Sequence, residues 1–215
     1  MSKSDHTVVI TGATSGIGLG LAEAFLQQGY NVVGTGRSSE RLQAAAAHLK
    51  AGERFLGVAG DAGKPESARQ VFEQAVARYG KVDVLVNNAG IFTAKPFVQF
   101  TPAEIEEQIS TNLKGVLYPL QEAARHMSER KSGKIINITA SLALQPHGVT
   151  VNAVAPGVVN TPMHAPESHA ALGSLHPLGR IARIDEIAAA VLYLAKADFV
   201  TGTVLPVDGG FSAGR

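Results

Sequence analysis

One junction constrains this chain more than any other. A β-branched run at residues 7–11 passes without a break into Thr-Gly-Ala-Thr-Ser-Gly-Ile-Gly, residues 11–18, and then into a segment of helical character. Glycines at 12, 16 and 18 let the backbone turn sharply and approach a ligand with no Cβ in the way. A helix starting there offers unpaired N–H groups and the positive end of its dipole to a pyrophosphate. A glycine-rich turn alone is weak evidence, but this one has the strand before it and the helix after it that dinucleotide binding requires. Gly12, Thr14, Ser15, Gly16, Ile17 and Gly18 are therefore candidate cofactor-binding residues.

The same alternation runs to the end of the chain. Strands are expected at 7–11, 31–35, 54–59, 82–87, 134–139, 150–154 and 204–207, and helices at 16–28, 39–50, 65–79, 102–129 and 184–195. Several strands are apolar on successive residues, as in Val-Val-Ile and Val-Leu-Val, which suits burial on both faces. Thr101, Pro102 and Glu104 have the spacing of a capped helix start. Strand–helix alternation with short connections predicts one α/β domain over residues 1–215, a Rossmann-type, doubly wound parallel sheet of about seven strands with helices on both faces.

At the end of the second strand stands Gly36-Arg37-Ser38. An NAD-preferring site places a carboxylate there for the adenine ribose hydroxyls. A guanidinium forks onto phosphate instead, so Arg37, with Ser38, points to the 2′-phosphate and favours NADP(H) over NAD(H).

Composition narrows the partners. With no cysteine in 215 residues, disulfides, thiolate metal sites and thiol nucleophiles are excluded. A net charge of +1 gives no field to collect nucleic acid or an anionic membrane, which leaves a small molecule as the expected partner. The start of the chain lacks a signal-peptide pattern, and no apolar run is long enough to span a bilayer, so a cytoplasmic location is expected.

Asn87-Asn88-Ala89-Gly90, closing the fourth strand, resembles the short-chain dehydrogenase/reductase family. The early glycine turn, Asp61 after the third strand, Asn112 inside a long helix, Val-Asn-Ala-Val-Ala-Pro-Gly at 151–157 and the Val-Thr-Gly and Val-Asp-Gly-Gly elements within 200–210 match in the same order. The likeness covers essentially the whole chain. It implies hydride transfer between a nicotinamide and a small carbonyl or alcohol. Asp61, with Ala62, would then meet the adenine, and Asn88, Ala89 and Gly90 would support the cofactor ribose region. Pro156, Gly157, Val159 and Thr161 would line the nicotinamide end, and Asn112 would support a proton relay. The segment 162–177 resembles a substrate lid; its His164, His169 and His176 are read as solvated or packing residues, because no carboxylate cluster accompanies them, and no metal site is expected. A homodimer or homotetramer is the family expectation.

The chain departs from the family at its acid. Family members protonate the developing alkoxide with a tyrosine whose pKa is lowered by a lysine four residues later and by the cationic cofactor. Here Tyr30, Tyr79, Tyr118 and Tyr193 are followed at that spacing by Gly34, Asp83, Glu122 and Ala197. Only Leu-Ala-Leu-Gln-Pro-His-Gly-Val-Thr, residues 142–150, stands where the resemblance implies a whole helix with the tyrosine and lysine, so one crossover helix is missing and the junction lies near Gln145–His147. A parallel crossover normally takes about a dozen residues or more. Nine extended residues reach about 30 Å, enough to return along a short strand, but one sheet face would lose its cover and expose apolar surface. Ser141 is chosen as the substrate-orienting hydroxyl, although Ala140 holds the usual position after Asn137, and Thr139 is a second hydroxyl nearby. Two readings follow. One is an NADP(H)-dependent oxidoreductase whose natural chain carries further residues at the junction. The other is a non-catalytic NADP(H)-binding protein, a sensor or partner subunit, that has lost its acid–base pair.

Overall fold

The computed structural model describes residues 6–93, 95, 99–138 and 149–213. Ser141, Thr139 and the 145–147 junction lie outside the described residues. Seven strands form one sheet: β1 Thr7–Ile10, β2 Asn31–Gly36, β3 Phe55–Ala59, β4 Val84–Asn87, β5 Gly133–Ile138, β6 Val149–Pro156 and β7 Val204–Val207. Their order is β3-β2-β1-β4-β5-β6-β7, and every pairing is parallel. The expected Rossmann-type sheet is therefore present. The helices are α1 Gly16–Gln27, α2 Ser39–Leu49, α3 Pro65–Tyr79, α4 Pro102–Ile109, α5 Gly115–Arg130, α6 His169–Gly173 and α7 Ile184–Lys196.

Successive apolar residues on a strand point to opposite faces. Val8, Ile10, Val84, Val86, Ile136 and Val154 pack with Leu21 and Phe25 of α1 and Ile187, Val191 and Leu194 of α7. Val9, Val33, Leu85 and Ile135 pack on the other side with Val71 and Phe72 of α3 and Ala123 and Met127 of α5. Thus runs such as Val-Val-Ile fill two cores at once.

Two expectations change. The helix expected over 102–129 is interrupted by a π-helical stretch at Ser110–Lys114. One extra residue per turn is inserted there, as often happens at functional sites. The apolar exposure expected beside the short β5–β6 connection is also not seen on the described residues of β6. Val149 and Val151 are buried in the α3/α5 cluster.

Below the sheet, Asp83 ties three elements together. It accepts from the Thr7 amide at 2.9 Å and from Arg130 Nη2 of α5 at 2.8 Å, and Lys81 Nζ lies 3.3 Å away. Burial opposes its charge, but the Arg130 and Thr7 hydrogen bonds and the Lys81 ammonium outweigh it, so the carboxyl is held below its ordinary pKa. Such a group stabilises fully above the unfolded carboxyl pKa, and the contribution is lost as pH falls through the folded value. Asp83→Asn is expected to cost about 2–3 kcal/mol at neutral pH by denaturant titration, because Arg130 loses its charged partner. The gap between variant and parent should close as the solution is acidified.

Candidate cofactor and active site

The glycine turn is built by close approach. Gly12 and Gly16 hold φ of +69° and +54°, a region that favours glycine. A Cβ at Gly12 would lie 2.9 Å from Ala89 Cα, and one at Gly18 would overlap Gly12 O and stand 2.5 Å from Asn88 Nδ2. Thr11 and Asn88 lock this arrangement. Thr11 Oγ1 accepts from the amides of Asn88 and Ala89, both at 2.9 Å, while Asn88 Nδ2 donates to Thr11 O and Gly12 O at 3.0 and 3.2 Å. Asn88, expected near the cofactor ribose, therefore has its amide nitrogen committed to the turn itself. Ser15 precedes α1 in extended conformation and its side chain makes no capping bond, so the hydroxyl does not occupy the first-turn amides. A cradle that any Cβ would fill, followed by uncapped helix amides, fits a pyrophosphate.

The adenosine side follows from β2 and β3. Gly36 sits against Thr14, where a Cβ would come within 2.6 Å of Thr14 Cγ2. Arg37 leaves the end of β2, and Ser38 caps α2 by accepting from the Arg41 amide at 3.2 Å. Asp61 Oδ1 accepts from the Gly63 amide at 2.9 Å, folding the β3–α3 loop back on itself. Ala62 in that loop touches Gly115, where an added Cβ would lie 3.1 Å from Ala62 Cβ, and a Cβ at Gly63 would collide with Ser110. The π stretch thus roofs the loop. Arg37 Nη1 stands 3.6 Å from Glu107 Oε1 of α4, both side chains more than half exposed.

Asn112 explains why the long helix breaks. Its Oδ1 accepts from the Ile91 amide at 2.8 Å, and its Nδ2 donates to Ile91 O at 2.9 Å and to Gln108 Oε1 at 2.8 Å. The side chain spans both polar groups of Ile91 and so fixes the chain that follows Gly90. A relay role for Asn112 would have to use its backbone, since both ends of the amide are occupied.

The nicotinamide-side segment is pinned from below. Gly157 N donates to Val207 O at 3.1 Å, and Val159, buried, pairs with Ala182. Thr161 lies across from the phosphate turn, within 3.6 Å of a Cβ built at Gly16. Residues 162–177 hold a 3₁₀ turn, Pro166–Ser168, and the short helix α6. His176, 4% exposed, accepts from the Val158 amide through Nε2 at 3.1 Å and faces Leu172 O through Nδ1 at 3.0 Å. With Nε2 accepting, Nδ1 is the nitrogen left to donate to Leu172 O. His176 therefore fastens the 162–177 segment to the Pro156–Gly157 strand end. Sequence reasoning placed it only as a solvated or packing residue; the signal was a histidine beside proline in a small-residue segment. His169 Nε2 meets His164 O at 3.2 Å. Among the described residues no group of His, Cys, Asp or Glu is arranged to hold a metal, and no helix is long and apolar enough to cross a membrane.

Comparison with known proteins gives a consistent set. The family model for short chain dehydrogenase matches residues 6–146, and one described as enoyl-(acyl carrier protein) reductase matches 139–212. The chain is 36% identical to a 3beta-hydroxysteroid dehydrogenase 1 of Eggerthella lenta, over 96% of this chain and 93% of that protein. That alignment runs over 243 positions against a chain of 215 residues, so at least 28 positions of the relative have no counterpart here. Among solved structures, a 3-ketoacyl-(acyl-carrier-protein) reductase from Brucella melitensis complexed with NADH superposes with a TM-score of 0.90 at 27% identity, covering 98% of this chain and 100% of that one. An actinorhodin polyketide ketoreductase variant with NADPH gives 0.89 at 30% identity, covering 98% and 99%.

Proposed function

Because the chain belongs to the short-chain dehydrogenase/reductase family, whose members are NAD(P)-dependent oxidoreductases, we propose that it uses NADP(H) by preference and acts on a small carbonyl or alcohol. The observation that carries the cofactor preference is Gly36-Arg37-Ser38 at the end of β2, a guanidinium where an NAD site would hold a carboxylate. Bound there, the cofactor supplies or accepts a hydride at its nicotinamide.

The chain's own residues divide the remaining work. Amides at Thr14–Gly18 receive the pyrophosphate, and Arg37 and Ser38 receive the 2′-phosphate. Asp61 and Ala62 border the adenine, and Asn88, Ala89 and Gly90 form the wall behind the ribose. Pro156, Gly157, Val159 and Thr161 hold the nicotinamide end, and residues 162–177 close over the substrate and exclude water. Ser141 orients the substrate oxygen, and Asn112 holds Ile91 in place after Gly90. The alkoxide must still gain a proton, and no tyrosine of this sequence has the family's lysine four residues on. The protein is expected in the cytoplasm as a homodimer or homotetramer within a single domain.

Arg37→Ser tests the cofactor reading. Titration by NADPH fluorescence should show affinity reduced about 10- to 100-fold, the loss of one charge-assisted contact, with NADH affinity nearly unchanged. Equal NADPH binding by parent and variant would remove the basis for the preference.

A further inference from the structure

Arg37 does not meet the cofactor site alone. Its guanidinium Nη1 lies 3.6 Å from Glu107 Oε1, which comes from α4. The stretch that follows α4 rests on the loop after β3: Ser110 and Gly115 stand against Gly63 and Ala62, next to Asp61. β3 is the neighbour of β2 in the sheet, so Glu107 and Arg37 meet at the adenosine end of the proposed site.

The other acids of α4 are directed elsewhere. Glu104 binds Lys95 at 2.6 Å and caps its own helix through Thr101, and Glu106 binds Lys114 at 2.6 Å. Glu107 alone of the three is directed to Arg37.

We propose that Glu107 is a specificity-determining residue, a built-in counter-ion that competes with the cofactor 2′-phosphate for Arg37 and so moderates the preference for NADP(H). The inference rests on Arg37 being the 2′-phosphate site. A 2′-phosphate arriving at the guanidinium must displace a carboxylate and then tolerate its charge nearby. A 2′-hydroxyl displaces nothing and leaves Arg37 neutralised. Glu107 therefore weakens the phosphorylated cofactor and leaves the other untouched, which narrows the difference between them. Both side chains are solvated, so the effect is moderate and salt-dependent.

The test is a cofactor titration of Glu107→Gln, with Arg37→Ser run beside it, each for NADPH and NADH at low and high salt. Glu107→Gln should bind NADPH about three- to tenfold more tightly than the parent at low salt, with NADH unchanged and the gain shrinking at high salt. If Arg37→Ser loses NADPH affinity and Glu107→Gln gains none, the counter-ion role is overturned and the Arg37 assignment stands. If Arg37→Ser leaves NADPH binding intact, both fall. An equal gain for NADPH and NADH would mark a merely structural effect of α4 and would also overturn the proposal.

Discussion

Gly18→Ala is expected to lower nicotinamide-cofactor affinity more than 100-fold and to cost about 1–3 kcal/mol of stability. The added methyl has no free space: it would overlap Gly12 O and stand 2.5 Å from Asn88 Nδ2. The obstacles are backbone and a side-chain nitrogen already bonded to two carbonyls, so neither can swing aside. The turn must open, and the amides that receive the pyrophosphate move with it. Gly29→Ala is the contrasting control. Gly29 has φ of +86° with nothing within 4 Å of an added Cβ, so it carries a conformational cost of about 1 kcal/mol and no collision, whereas Gly18, inside α1 without a positive φ, meets the collision. Fluorescence titration with NADPH and a thermal melt on both variants separate the two effects. Normal cofactor binding by Gly18→Ala would mean that the turn is not the pyrophosphate cradle.

The second large effect concerns the proton. Inserting at 145–147 a helical segment with tyrosine and lysine four residues apart is expected to raise carbonyl reduction by the 215-residue chain about a hundred- to ten-thousandfold, the usual contribution of a placed general acid. NADPH binding should change less than the rate, because the glycine turn and Arg37 follow β1 and β2, away from the β5–β6 connection. NADPH oxidation at 340 nm against a panel of aldehydes and ketones reads the rate, and intact mass fixes which chain is being measured. Protein of 22.4 kDa that already turns over at about 1–10³ s⁻¹ would show that another group delivers the proton. A larger mass with full activity would place the acid in residues beyond these 215.

Much of the architecture was legible because it depends on neighbours along the chain. Strand 204–207 and helix 65–79 coincide with β7 and α3, and most other boundaries shift by one or two residues. The Thr101–Glu104 capping box is present with both of its reciprocal bonds. Consecutive apolar residues in a strand required two cores, and the structure has two. Positive φ at Gly12 and Gly16 is a single-residue property that the glycine spacing already implied. The π break at Asn112 left no such trace, since helical periodicity continues on both sides of it; its cause is the Ile91 peptide, reached only across the fold.

What the sequence determined by itself is the α/β alternation, the glycine cradle and the basic end of β2, each set by periodicity or by the backbone freedom of particular residues. The tertiary structure decided which side chains meet. Asn88 grips the turn through its side-chain nitrogen, His176 fastens the 162–177 segment to the end of β6, and Glu107 stands opposite Arg37. Each of these joins residues far apart in the chain, and their distance is fixed only when the parallel strands bring their C-terminal ends to one edge of the sheet.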